Sequence, residues 1–166
     1  VGTYSPFTYS AWVKWAGDTY TRVIMGTSTA QGREVTLDTS NSANQGEFRL
    51  KIEGLDDGVD YVDCDLLDPD PNVWYHVLGT TNGSLGKIYI NGAHCTGDDT
   101  VHDGTYDVSG TAFFIGQSRA NAPTASWNGS IDEVAIWNRS LSGEEISDLY
   151  EYSKYNVRFR VRANNT

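Results

Sequence analysis

The chain has 166 residues, 39% hydrophobic and 12% aromatic, enough for one domain with a core of its own. Its formal charge of −10 argues against nucleic acid, whose phosphates it would repel. No run of about 18 apolar residues is present to span a membrane. The charge is unevenly placed. Residues 53–103 hold 11 acidic residues and one Lys, whereas from Lys154 onward there are four basic residues and no acidic ones. The chain opens on Val1, so either a leader has been removed or the chain is an excerpt.

In chain order the apolar pattern has the two-residue period of strands. "PFTYSAWVKW" sets Phe7, Tyr9, Ala11 and Val13 against Thr8, Ser10, Trp12 and Lys14. "RVIMGTS" and "EVTLDTS" are short strands, and "GEFRLKIEG" alternates Phe48, Leu50 and Ile52 with Arg49 and Lys51. "VDYVDCDLL" sets Val59, Tyr61, Asp63 and Asp65 against Val62, Cys64 and Leu66. "NVWYHVLGTTNGSLGKIYINGAHC" gives two strands around a Gly-rich turn and closes on an Asn91–Gly92 hairpin signal. "TAFFIGQS" and "WNGSIDEVAIW" complete the set. Short strands every 8–12 residues predict an all-β antiparallel sandwich or barrel.

One helix is marked. Ser142 and Glu145 form a capping box, with Leu141 stapled to Ile146, and Ile146, Leu149 and Tyr150 share an apolar face. After Tyr152 the sequence "YNVRFRVRA" reads as a further strand, with Val157, Phe159, Val161 and Ala163 opposite Arg158, Arg160 and Arg162. The expected organisation is a domain over 1–153 and a terminal strand over 154–166.

Cys64 and Cys95 have no CxxC context. They are either two buried thiols or a disulfide, and the disulfide is favoured for a secreted domain. Asn82, Asn128, Asn138 and Asn164 lie in N-x-[S/T] sequons, all at turns or in the tail, where a glycan would be tolerated.

Four blocks, "FTYSAWVKW", "NVWYHVLGTTNGSLGKIYINGA", "FFIGQS" and "NGSIDEVAIWNRSLSGEEISDLY", resemble in order and spacing the laminin-G-like branch of the concanavalin A-like jelly rolls. The resemblance covers roughly Phe7 to Tyr152. It implies a jelly-roll sandwich of two antiparallel sheets, six or seven strands each, with one short C-terminal helix. It also implies a structural calcium, held by Asp132 and by backbone carbonyls near the N-terminus. Asp98, Asp99, Asp103 and Asp107 lack the spacing of a calcium loop and read as a solvated acidic loop.

Retaining glycosidases on this fold carry a Glu-x-Asp-type pair on one strand, and none is found here. Asp132 and Glu133 are adjacent, so a strand points them to opposite faces. His76, His94 and His102 have no HExxH spacing. The expectation is no enzyme. Trp15, Tyr20 and Trp127 are candidate sugar-stacking rings, whereas Trp12, Trp74 and Trp137 read as core.

The expected protein is therefore extracellular or on a cell surface, and non-catalytic. It is read as a subunit of a fibre or array, a homo-oligomer or polymer joined by donation of the C-terminal strand. The alternative is a carbohydrate-binding or adhesion module of a larger surface protein or polysaccharide-degrading enzyme.

Overall fold

The computed structural model describes residues 5–17, 20–28, 34–39, 47–53, 59–64, 69–95, 100–101, 112–117 and 125–158. Two antiparallel sheets face each other. The first holds β1 (Phe7–Trp15), β6 (Trp74–Thr81), β7 (Leu85–Ile90), β8 (Ala93–His94), β9 (Thr100–Val101) and β11 (Gly129–Trp137). Its order is β11-β1-β6-β7-β8, with β9 also on β7. The second holds β2 (Val23–Ser28), β3 (Glu34–Thr39), β4 (Phe48–Glu53), β5 (Val59–Asp63) and β10 (Ala112–Ile115), in the order β10-β2-β3-β4-β5. This is the jelly-roll sandwich, with six and five strands among the described residues rather than six or seven in each sheet.

The core follows the alternation. Tyr9, Ala11 and Val13 of β1 meet Leu37, Phe48, Leu50, Ile52 and Val62 of the other sheet. Each such side chain contributes about 1.5–3 kcal/mol when fully buried. Cys64 and Cys95 belong to this core and are bonded to each other, with Cα atoms 5.4 Å apart. They tie the end of β5 to the end of β8 and so staple one side of the sandwich.

The outward residues of β1 are buried as well, because α1 (Gly143–Arg158) lies across them. Ser142 Oγ accepts the Glu145 amide at 3.2 Å, and Glu145 Oε2 accepts the Ser142 amide at 2.8 Å, completing the capping box. Arg139 grips the same carboxylate with both guanidinium nitrogens, at 2.9 and 2.7 Å. Together they hold the Glu145 carboxyl down at about 2. Ile146 and Leu141 pack on Leu78 and Tyr89, and Trp12 stacks on Tyr150 with ring centroids 5.7 Å apart. The Asn91–Gly92 turn makes room for this docking. Asn91 and Gly92 have φ of 52° and 78°, and a Cβ on Gly92 would lie 3.0 Å from the Tyr150 side chain.

The helix runs further than its sequence signal suggests. It continues through Arg158, so Tyr155 to Arg158 form its last turn, and Val157 and Arg158 are helical rather than on a strand. The reason is cooperativity. A capped first turn has already met the nucleation cost, each added residue gains a hydrogen bond, and neither Gly nor Pro interrupts residues 144–158. The rest of the expected assembly strand, Phe159, Arg160, Val161, Arg162 and Ala163, lies outside the described residues.

The side of the sandwich away from the disulfide is not stapled. There β10 and β11 are the outer strands of their sheets among the described residues. Ile136 pairs with Tyr9 and so points inward, yet is 51% exposed. Ile115, opposite the buried Met25, is 56% exposed, and Phe113 is exposed although its ring contacts Tyr9 edge-on at 5.5 Å.

Candidate functional site

The outer face of the five-stranded sheet carries no helix among the described residues. Cross-strand register writes its chemistry. Phe114, Gly26, Thr36, Lys51 and Tyr61 form one row, and Val23, Asp38, Arg49 and Asp63 form the next. Gly26 is required in its row, because a Cβ there, at φ 153°, would meet the Val35 carbonyl at 2.2 Å.

At the base of this face the Asp38 carboxylate is buried. It accepts the Thr36 hydroxyl at 2.9 Å and the Arg49 Nε–H at 2.5 Å. Burial pushes its carboxyl up to about 6, against the opposing pull of Arg49, Thr36 and Lys51. The Arg49 guanidinium is itself held protonated by Asp38, despite partial burial, and lies 4.4 Å from the centre of the Tyr61 ring. Lys51 pairs with Glu53 at 3.0 Å. Tyr61 is 40% exposed, whereas the Asp38, Arg49 and Lys51 side chains beside it are 2%, 13% and 14% exposed, so what the face offers a ligand is chiefly one aromatic ring.

The sugar-stacking candidates Trp15, Tyr20 and Trp127 differ in exposure. Trp15 is buried, with no hydrogen-bond partner for its Nε1 among the described residues. Trp127 is half-buried and donates to the Ser130 carbonyl at 3.2 Å. Tyr20 is exposed beneath Arg22, 5.1 Å from the guanidinium. Trp12 is buried, with Nε1 donating to Ser153 Oγ at 2.9 Å. Strand alternation offers no way to see Asp38, Arg49 and Tyr61 as a unit, since they meet only through the pairing of β3, β4 and β5. The signal that was present is Arg49 and Lys51 on one face of "GEFRLKIEG".

A second polar group lies between the six-stranded sheet and α1. Ser10 Oγ and His76 Nε2 are 2.8 Å apart, as in a nucleophile–base pair. A cavity of about 160 Å³ there is also lined by Glu133, Leu149 and Ser153. The third member of a triad is not in place: His76 Nδ1 is buried without a partner among the described residues, and burial pushes the imidazole down to about 4. Trp12 and Tyr150 cover the ring. This arrangement fits the docking of α1.

Asp132 sits where β11 bulges against β1, and Glu133 beside it has φ 48°. Asp132 Oδ1 accepts the Glu133 amide at 2.9 Å. No three of His, Cys, Asp and Glu come together to hold a metal among the described residues. Asp132 is the carboxylate that the resemblance implies for calcium, and residues 1–4 lie outside the described ones. So do His102, Asp98, Asp99, Asp103, Asp107 and Asn164. Asn82, Asn128 and Asn138 are exposed. The Asn82 side chain accepts the amides of Ser84 and Leu85 within its turn.

The geometry defines a lectin-like β-sandwich. Residues 2–147 match the family described as the concanavalin A-like lectin/glucanases superfamily, in its laminin-G-like branch, and the chain belongs to it. Human adhesion G-protein coupled receptor D1 is 35% identical over 81 residues, 48% of this chain but only 9% of the receptor. Among solved structures, the heptameric SAP-like pentraxin of Limulus polyphemus superposes with a TM-score of 0.69 at 18% identity, over 89% of this chain and 70% of the pentraxin. Domain 4 of the extracellular arabinanase AbnA of Geobacillus stearothermophilus, solved with arabinotriose, gives 0.67 at 18% identity, over 90% of this chain and 68% of that one. No described helix is long and apolar enough to cross a membrane.

Proposed function

We propose that this is a non-catalytic extracellular or cell-surface adhesion module that binds glycans on the outer face of its five-stranded sheet. The observation that carries the reading is the 40% exposed Tyr61 ring, 4.4 Å from the Arg49 guanidinium and paired in register with Lys51, on a face that carries no helix among the described residues. The arabinotriose-bound neighbour and the adhesion receptor support it. A glycan array probed with the domain should identify a saccharide. Tyr61→Ala should then weaken binding about tenfold, the worth of one good stacking contact, while the melting temperature stays within about 2 °C. A domain that binds no saccharide, or a variant that binds as tightly as wild type, would refute the assignment.

The second reading is a fibre or array subunit, a homo-oligomer joined by its C-terminal segment. The observation that favours it is the apolar seam of Phe113, Ile115 and Ile136.

Calcium at Asp132 belongs to the proposal too. Ion bound only by the folded state at a hundredfold excess over Kd would stabilise by about 2.7 kcal/mol. EGTA should then lower the melting temperature of the wild type and leave that of Asp132→Ala unchanged. A wild type indifferent to EGTA removes calcium from the account.

A further inference from the structure

The seam between β10 and β11 has two properties beyond exposure. Its floor is apolar, with Ile131 and Val134 of β11 half-buried against the core beside the exposed Ile136, Ile115 and Phe113. Its outer side carries two carboxylates besides the Arg139–Glu145 pair. Asp132 lies on the outward face of β11, since it pairs with Trp12, and Asp148 lines an open groove of about 370 Å³ between α1 and the end of β11, with Trp137, Leu149 and Tyr152. An extended segment laid on the edge of β11 that pairs with no other strand among the described residues would face both at once. Its alternate side chains would meet an apolar slot on one side and carboxylates on the other.

We propose that the seam is the acceptor for residues Phe159–Ala163 of a second copy of this chain, added as a strand on β11. The proposal rests on the fibre-subunit reading and names its contact. Phe159, Val161 and Ala163 have the period and the character for the slot, and Arg160 and Arg162 fall opposite Asp132 and Asp148.

The extent of α1 decides between a second copy and the chain's own segment. Thr8 Oγ1 contacts the Arg139 carbonyl and the Leu141 amide, and Trp12 contacts Ser153, so α1 runs along β1 and antiparallel to β11. Its axis lies about 10 Å above the sheet, one helix diameter. The strand position beyond β11 lies one to two strand spacings of about 4.8 Å to the side. Crossing that distance takes three or four extended residues of about 3.3 Å each. The described helix reaches Arg158, so the chain's own Phe159 to Arg162 would be spent on the crossing, and a linker that cannot span has no effective concentration. A second copy has no such constraint. With one donor and one acceptor per chain the contact is heterologous, closing into a ring or running on as a filament.

The test is complementation by mass. The 166-residue chain should self-associate in analytical ultracentrifugation, and truncation after Arg158 should leave a folded monomer. Phe159→Asp spoils the donor and Ile136→Asp the acceptor, and each should weaken self-association at least a hundredfold. Mixed, the two variants should form a one-to-one dimer, because each supplies the half that the other lacks. If Ile136→Asp does not fold, Ile115→Asp takes its place. A full-length monomer at all concentrations overturns both the proposal and the fibre reading. Oligomers that survive Phe159→Asp but not truncation overturn the proposal and leave the fibre reading standing, whereas oligomers that survive truncation overturn both. Unfolding on truncation, or no dimer on mixing, places the segment in its own domain and overturns the proposal.

Discussion

Replacing Cys64 and Cys95 together by Ala lowers the stability of the domain by roughly 3 to 4 kcal/mol. The bond closes a separation of 31 residues, and the chain-entropy model assigns that much to restricting the unfolded chain. For a chain of this length the melting temperature should fall on the order of 10 °C. Two features place the effect near this value. Both sulfurs are buried in the main core, so their loss also leaves apolar contacts unmade. The two cysteines are also the covalent link between the ends of β5 and β8, each strand lying last in the order of its sheet. Calorimetry of the double variant against wild type checks it, and melting temperatures within about 2 °C of each other would show that the sheets hold without the bond. The melt of the untreated protein should likewise become sensitive to a reductant.

The second large effect is hidden in the wild type and appears only when one of two residues is changed. Asp38 has its carboxyl raised from 3.8 to about 6 in the folded state, so between those values the folded chain holds a proton that the unfolded chain releases. Its contribution is fully present below 3.8 and is lost as pH rises through about 6. His76 has its imidazole lowered from 6.5 to about 4, so in that window the unfolded chain holds the extra proton, and stability is lost as pH falls. Each shift corresponds to about 3 kcal/mol at 1.36 per pH unit, and the two slopes oppose each other over nearly the same range. The wild type should therefore show little net change from these groups between pH 4 and 6. Asp38→Asn should expose the histidine slope and become less stable toward pH 4. His76→Asn should expose the aspartate slope and become more stable toward pH 4 than at pH 7. Urea midpoints measured at half-unit intervals decide it, and parallel profiles for all three proteins would contradict the assignment.

The strands were legible because their burial repeats every two residues. Phe48, Leu50 and Ile52 point inward as their alternation requires, and Val62 of β5 and Cys64 just after it do the same. The helix start was legible because a capping box is local, four consecutive residues satisfying each other's amides. The helix end was not. Residues 155–158 alternate apolar and polar as a strand would, and only the capped turns before them decide that the helix continues. The candidate glycan face was illegible for a different reason. Asp38, Arg49 and Tyr61 lie 11 and 12 residues apart, and what joins them is the register of three strands, which no single stretch encodes. The burial of Thr8 and Ser10 was hidden in the same way, because their strand carries polar residues on its outer side as an exposed strand would, and the helix that covers them comes more than 130 residues later.

The place of β1 in its sheet sets a timetable for synthesis. β1 is made before the other described strands of the domain and lies between β6 and β11, with Thr8 paired to Trp137. Until that last strand has been translated, an emerging chain presents β1 with one edge unpaired and its outward Trp12 uncovered, since Ser153 and Tyr150 do not yet exist. Such a chain has a sticky strand edge and a bare aromatic ring, the features by which nascent chains aggregate or are taken up by holding factors. Translation that pauses or stops before residue 137 should thus yield a protease-sensitive, aggregation-prone product rather than a smaller folded domain.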